Sequence, residues 1–145
     1  MADWKQQLGV YGVYMEKGKI FSVLRKEEGP FQNKYDLPGG TLLENEMLVD
    51  ALKRHMYRFD TEAETAAQLG SYDFLIGYGK AQIIHQIALV FQLKLYFARE
   101  KEIPLIFETP AEKPAEFVML PLEKITEASA TPLLNLIKTL YEDAR

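Results

Sequence analysis

The stretch 37–62 holds most of the residues in this chain whose types and spacing could do chemistry. A Leu-Pro-Gly-Gly turn at 37–40 is followed by the carboxylate of Glu46 and by two arginines, Arg54 and Arg58. Guanidinium groups bind phosphate oxygens through paired hydrogen bonds, and carboxylates hold magnesium together with substrate phosphates. Side chains of these types can contact phosphate or a metal ion, so this stretch is a candidate functional site.

An amphipathic helix is expected to carry these side chains. Apolar residues recur at steps of three and four within residues 46–60, at Leu48, Ala51, Leu52, Met56 and Phe59. Asn45 is predicted to cap this helix, and the acidic Glu46 suits its positive end. The Pro-Gly-Gly turn ends the preceding element and directs the chain into the helix.

Strands are predicted on both sides of the helix. Residues 9–25 form two β-rich runs around a turn at 16–19, which predicts a β-hairpin followed by a polar loop at 26–36. Residues 68–76 and 82–97 are predicted strands joined by a turn at 77–80. In the longer strand the odd positions are mostly apolar, which predicts one buried face. Gly77-Tyr78-Gly79-Lys80 is a turn rather than a phosphate loop, because a strand follows it.

The last part of the chain predicts a surface loop, a short strand and a closing helix. The loop covers residues 99–114, the strand residues 117–120 and a turn of helix residues 121–125. Thr131 is the predicted N-cap of the last helix, with Pro132 at its first position and an end near Glu142. Strands before, between and after two helices predict an α+β domain with a mixed sheet.

Composition limits the class of protein. The 145 residues predict a single domain, 1–145, and 48% apolar and 26% charged residues are typical of soluble globular proteins. A net charge of −4 without a basic block argues against a nucleic-acid polymer as partner. The chain contains no cysteine, which excludes disulfides, thiol nucleophiles and cysteine-held metals. No apolar run suits a signal peptide or a membrane span, so we expect a cytoplasmic protein.

The order of hairpin, loop, Leu-Pro-Gly-Gly, acidic turn and amphipathic helix resembles the Nudix hydrolases, the MutT-like family. Their Nudix box is G-x5-E-x7-R-E-U-x-E-E-x-G-U, where U is apolar. Gly40 matches its first glycine, Glu46 its first glutamate, Arg54 its arginine and Met56 its apolar position. The resemblance covers nearly the whole chain. It implies an α/β/α sandwich with a central mixed sheet and with the catalytic-type helix after the LPGG loop.

The box is degenerate at the positions that hold the catalytic magnesium in this family. His55, Arg58 and Phe59 replace its three glutamates, and all three positions fall on one helix face. Magnesium prefers oxygen ligands, and a positive charge about 4 Å away costs on the order of 4 kcal/mol at a protein surface. We therefore expect magnesium to be disfavoured at this face, which is apolar and basic.

Each candidate ligand-binding residue in the box also has a structural interpretation. Glu46 is either a remnant catalytic or metal-binding carboxylate or an acid at the helix N-terminus. Arg54 either contacts a diphosphate or lies solvated on the helix flank. Arg58 either binds phosphate directly or is a surface arginine. His55 is expected to be packed and hydrogen-bonded rather than a ligand or base. The glycines of the turn, Gly39 and Gly40, complete this set.

Residues outside the box are further candidates by position. Arg25 lies where relatives often offer a cation to substrate phosphate, and Tyr35 either stacks on a base or packs against the loop. His85 lies on the apolar face of the long strand, where it either packs, as we expect, or lines a pocket over the sheet. If metal is bound at all, its ligands are expected among four carboxylates, Glu46, Glu44, Glu112 and Glu116, of which the last two could equally belong to a solvated loop.

Three functions remain open from the sequence. The first is a Nudix-like protein that binds a nucleotide or another diphosphate-containing small molecule, with weak or no metal-dependent hydrolysis. The second is an active hydrolase of nucleoside diphosphate derivatives, with magnesium as cofactor held by non-standard carboxylates. The third is a dimeric interaction module, since members of this family often form homodimers.

Overall fold

The computed structural model describes residues 3–57, 61–97 and 117–143. The strands are β1 Asp3–Val13, β2 Met15–Glu16, β3 Lys19–Leu24, β4 Tyr35–Asp36, β5 Gly39–Thr41, β6 Thr61–Tyr78, β7 Gln82–Phe97 and β8 Phe117–Pro121. The helices are α1 Leu48–Tyr57 and α2 Pro132–Asp143, and a turn of 3-10 helix covers Leu122–Lys124. The predicted loop at 99–114 lies outside the described residues.

The larger sheet has the strand order β5-β1-β7-β6. β1 runs parallel to β7 from Asp3↔Gln82 to Val13↔Gln92, and the other neighbours are antiparallel. A smaller sheet is built around β3, which pairs antiparallel with β2, β4 and β8. The fold is therefore α+β with a central mixed sheet, as predicted.

The predicted hairpin at 9–25 is wrong in its pairing. Only Met15–Glu16 and Lys19–Ile20 pair, around a turn in which Lys17 and Gly18 have φ values of 51° and 76°. Positive φ at both central residues matches the twist of the flanking strands. β1 instead joins the larger sheet, because residues 9–13 are all buried and a two-stranded hairpin cannot cover both faces of a strand.

Helix α1 begins later than the predicted cap at Asn45. Asn45 lies in a turn with a φ of 63°, and the first helical hydrogen bond runs from Ala51 N to Met47 O. The buried face of α1 is the predicted stripe, with Ala51, Leu52 and Met56 in the core. The predicted continuation of this helix to residue 60 lies outside the described residues.

Two core clusters lie on opposite faces of the larger sheet. On one face Ala88 and Val90 of β7 pack with α2, and on the other Leu89 and Phe91 pack with the cluster that contains α1. The predicted single buried face of β7 is therefore wrong. From 84 to 90 the even positions are buried and the odd ones are half-buried, because both faces receive a helix over only part of the strand.

The end of the chain follows its prediction closely. Thr131 Oγ1 accepts a hydrogen bond from Leu134 N at 3.3 Å, so Thr131 is the N-cap of α2.

Strand β6 begins at Thr61, well before the predicted start at 68. Within the described ranges, neither helix has the length and apolar character needed to cross a membrane.

Candidate functional site

The Leu-Pro-Gly-Gly turn becomes strand β5, which lies directly against β1. Gly39 pairs with Tyr11, and its φ is 133°. A Cβ at Gly39 would lie 2.1 Å from Val10 O, so no side chain fits there. The glycine is required because two backbones meet at this point.

The His55 ring packs against Gly40, the second glycine of this turn. A Cβ at Gly40 would lie 2.8 Å from His55 Cε1, and His55 Nε2 lies 2.9 Å from Thr41 O. A carbonyl only accepts, so Nε2 carries the proton. Burial lowers the pKa of His55, and the nearby Arg54 charge lowers it too, against the raising effect of the Thr41 bond. His55 is thus a packed, hydrogen-bonded and predominantly neutral histidine at neutral pH.

Glu46 and Arg54, the two charged residues that match the Nudix box, bind each other. Arg54 Nε and Nη2 donate to Glu46 Oε2 and Oε1 at 2.9 and 3.0 Å. Arg54 Nη2 also donates to Thr41 O at 3.0 Å, and Leu43 N donates to Glu46 Oε1 at 2.9 Å. The Arg54 and Leu43 hydrogen bonds lower the pKa of Glu46 from 4.5 to about 2. The pair fastens the loop 41–46 to α1.

This arrangement corrects two interpretations of single residues. Glu46 is not an acid of the first helical turn, because α1 begins at Leu48 and the carboxylate points to Arg54. Arg54 is not simply solvated on the helix flank, since two of its three donated hydrogen bonds hold that carboxylate. The sequence carried no signal for this contact, because the two residues are eight positions apart and only Arg54 is helical.

Arg25 and Asp36 form a second ion pair beneath the turn. Arg25 Nε donates to Asp36 Oδ2 at 2.9 Å, and Arg25 Nη2 donates to Leu37 O and Gly39 O, each at 3.1 Å. Asp36 Oδ1 accepts from Leu37 N and from Thr131 Oγ1, each at 2.8 Å. The structure places Arg25 as a support of the loop, and a role toward phosphate stays a prediction.

Tyr35 lies beside the start of α2 rather than in the α1 region. Its backbone accepts from Thr131 N at 2.9 Å, and its half-buried ring packs against the core cluster that contains α2. Burial raises the pKa of its hydroxyl. This geometry favours the packing interpretation of Tyr35 over stacking on a base.

The described part of the chain contains no suitable set of magnesium ligands. Within residues 3–57, 61–97 and 117–143 no three His, Asp or Glu side chains come together as a metal site. Glu44 is exposed, and Glu46 is engaged by Arg54. Arg58, Phe59, Glu112 and Glu116 lie outside the described residues. The described side chains do not fit the octahedral oxygen site that magnesium requires.

Similarity to known proteins is found among solved structures only. No protein-family model matches the sequence, and the search of curated proteins gives no match. Among solved structures, a Nudix hydrolase from Nitrosomonas europaea has a TM-score of 0.68 at 16% identity, covering 97% of this chain and 90% of its own. A MutT protein from Methanosarcina mazei Go1 has a TM-score of 0.67 at 21% identity, with 99% and 98% covered.

A MutT Nudix hydrolase from Burkholderia pseudomallei is similar to the same extent. Its TM-score is 0.65 at 18% identity, with 93% of this chain and 97% of its own chain covered. The likeness spans nearly the full length of all three structures, although few residues are shared. The chain therefore has the fold of the MutT and Nudix hydrolases.

Proposed function

We propose that this protein binds a nucleotide or another diphosphate-containing small molecule, with little or no metal-dependent hydrolysis. The observation that carries the proposal is that the side chains of α1 are already bonded to the neighbouring loop. His55 bonds to Thr41, and Glu46 is held by Arg54, where the related fold places a metal-binding helix. The Nudix resemblance supports a nucleotide-like ligand.

Electrostatics at α1 oppose a metal. To bind magnesium, Glu46 would have to give up two hydrogen bonds from Arg54, and the arginine would remain close by. A positive charge about 4 Å from a metal ion costs on the order of 4 kcal/mol per unit charge. Position 55 adds a neutral imidazole instead of a carboxylate. A bound ligand would then be held by hydrogen bonds and side-chain contacts rather than through a shared metal.

A paired assay tests this proposal. The purified protein is incubated with nucleoside diphosphate and triphosphate derivatives, with and without magnesium or manganese, while phosphate release and melting temperature are followed. We expect a ligand to raise the melting temperature without metal, and we expect Arg58→Ala to weaken that effect. Robust metal-dependent turnover by the wild type would contradict the proposal and favour a hydrolase whose metal is held by other carboxylates.

A matched variant makes a negative assay informative. His55→Glu, Arg58→Glu and Phe59→Glu together restore the family's box glutamates. We expect the triple variant to bind manganese more tightly than the wild type in calorimetry, which shows that the assay detects metal when ligands are present. If neither ligand nor metal stabilises the fold and the protein sediments as a homodimer, the interaction module is favoured.

We also propose a cytoplasmic location, which the absence of cysteine supports.

A further inference from the structure

The larger sheet ends at β6, whose outer side pairs with none of the described strands. The pairing of β6 with β7 is irregular between residues 65 and 70, and it is regular from Gly70↔Val90 to Tyr78↔Gln82. We call the regular part, residues 70–78, the β6 edge. An edge strand presents a row of unpaired backbone N–H and C=O groups, so another strand can be added to it.

The β6 edge lacks the usual protection against such pairing. Exposed edges are commonly protected by lysine, by proline or by a very short strand. The β6 edge contains neither lysine nor proline, and Asp73 is its single charged residue. The Asp73 carboxylate lies 2.8 Å from His85 Nε2. Leu75, two positions along the same face, is 65% exposed. A long edge with few charges and an exposed leucine is typical of a protein interface.

An apolar groove of about 240 Å³ lies between β6 and α2. Its lining side chains are all apolar or aromatic: Leu69, Tyr72, Ile137, Leu140 and Tyr141. Leu69 and Leu140 are 38% and 41% exposed. Because an apolar cavity of about 150 Å³ holds a benzene ring, this groove has room for a large apolar side chain.

The β6 edge is complementary to a second copy of itself. Two identical antiparallel strands pair about a two-fold axis, and an axis through Phe74 uses the whole regular ladder. On one face Phe74 then meets Phe74, and Tyr72 meets Ile76 of the second copy. Aromatic and β-branched pairs of this kind stabilise antiparallel sheets. On the other face Asp73 meets Leu75 of the second copy, so no like charges lie opposite each other.

The same axis brings an apolar side chain to the groove. Tyr72 lines the groove and lies on the α2 side of the sheet, because it pairs with Ala88, which packs with α2. Ile76 of the second copy lies opposite Tyr72 and therefore enters the groove, and the symmetric contact fills the groove of the other copy. An unrelated extended peptide would satisfy the backbone of the β6 edge equally well, but the match of Ile76 with the groove is specific to a second copy.

The size of this surface is sufficient for a reversible dimer. The β6 edge is about 30 Å long at about 3.3 Å per residue, and a strand with its covering helix is about 20 Å deep. The product is roughly 600 Å² per copy, at the lower end of the range for stable complexes. A dimer of this size dissociates readily, so the backbone of β6 opens more easily than that of the interior strand β1.

We propose that the protein forms a two-fold symmetric homodimer in which the β6 edges pair antiparallel about Phe74. In this dimer Ile76 of each copy fills the groove between β6 and α2 of the other. The inference goes beyond the proposed function and does not depend on it, because a ligand can bind to a monomer or to a dimer.

Sedimentation equilibrium from about 1 to about 100 μM tests the proposal, and Leu75 offers a matched pair of variants. Leu75→Glu places a like charge opposite Asp73 of the second copy, whereas Leu75→Lys places an opposite charge there. We expect the wild type to dimerise reversibly. Leu75→Glu should raise the dimer dissociation constant at least about tenfold, and Leu75→Lys should leave it within about threefold of the wild-type value.

Two further variants separate the interface from a general effect of charge. Leu140→Glu changes the groove without altering β6, and it should also weaken the dimer about tenfold. Met47→Glu adds the same charge at a residue that is 72% exposed in the loop before α1, and it should leave the dissociation constant unchanged. Melting curves of the four variants confirm that each is folded.

Several outcomes would overturn the proposal. One is a wild-type protein that stays monomeric over the whole concentration range. Another is a dimer that Leu75→Glu leaves intact. A dimer that Leu75→Glu and Leu75→Lys weaken equally would show that the pairing about Phe74 is wrong. A dimer that Met47→Glu dissociates and Leu140→Glu does not would place the interface at α1 instead.

Discussion

At the scale of single residues, the loop around the Leu-Pro-Gly-Gly turn is held by two ion pairs that differ in their exposure to solvent. Arg54 and Glu46 lie at the surface of α1, and Arg25 and Asp36 lie beneath the turn. The first pair joins the loop to the helix. The second joins the loop to the start of α2 through Thr131. Each pair therefore gives its own prediction.

The Glu46–Arg54 pair predicts acid sensitivity. The folded protein holds the pKa of Glu46 at about 2, below its ordinary value of 4.5, so the pair contributes stability above pH 4.5 and loses it as the pH falls toward 2. We expect urea midpoints of the wild type to fall more steeply across that window than those of Glu46→Gln. The exposed neighbour variant Glu44→Gln should keep the wild-type slope. Parallel pH profiles of wild type and Glu46→Gln would contradict the pairing.

Removal of the Arg25–Asp36 pair is predicted to cause a large loss of stability. Asp36 is 2% exposed and accepts hydrogen bonds from three groups. Asp36→Ala leaves the Arg25 charge buried without its partner, which we expect to cost about 3–5 kcal/mol in urea unfolding. Glu142→Ala breaks the surface contact with Lys138 at 3.9 Å and should change stability by less than about 0.5 kcal/mol. Similar losses in both variants would show that the buried pair has no special role.

At the scale of elements, strand β5 depends on a position that tolerates no side chain. Gly39→Ala would place a methyl group 2.1 Å from Val10 O, so β5 must move away from β1. We expect a loss of at least about 2 kcal/mol in thermal or urea unfolding. Gly77→Ala, whose Cβ meets no described atom within 4 Å, is the control and should be neutral or slightly stabilising. A Gly39→Ala protein as stable as the control would contradict this contact.

Local patterns in the sequence predict some elements well. Thr131 and Pro132 define the start of α2, because capping depends only on neighbouring residues. The apolar stripe of α1 is also correct for Ala51, Leu52 and Met56. The cap at Asn45 fails, because Glu46 turns toward Arg54 instead of entering the helix. That turn depends on a contact eight residues along the chain, which no local pattern contains.

The predicted burial of β7 fails for a related reason. Alternation of apolar and polar residues identifies one face of a strand, but burial depends on which elements cover each face. Ala88 and Val90 are buried under α2, whereas Ile83 and Ile87, on the other face, are half-buried. At the candidate site, the sequence shows directly that positions 55, 58 and 59 carry no carboxylate. It did not predict the Glu46–Arg54 pair, because that pair is a contact between a loop and a helix that no local pattern contains.

At the scale of the whole molecule, the first strand occupies the interior of the larger sheet. β1 lies between β5 and β7, and Val10 and Val13 are fully buried. Backbone amides of such strands exchange only through large opening events. We therefore expect residues 10–13 to be among the slowest to exchange deuterium, and β6, which pairs only with β7 among the described strands, to exchange faster. Faster exchange in β1 than in β6 would contradict this arrangement of strands.

The parallel pairing of β1 with β7 also constrains the order in which the chain can fold during synthesis. All 11 residues of β1 leave the ribosome before any of their β7 partners, which begin at Gln82. Contacts between residues so distant in sequence form slowly, because a long loop must close first. A nascent chain that ends before β7 exposes the apolar residues of β1 and is open to chaperones and to aggregation. The centre of the sheet is therefore completed only after the strand that begins at Gln82 has been made.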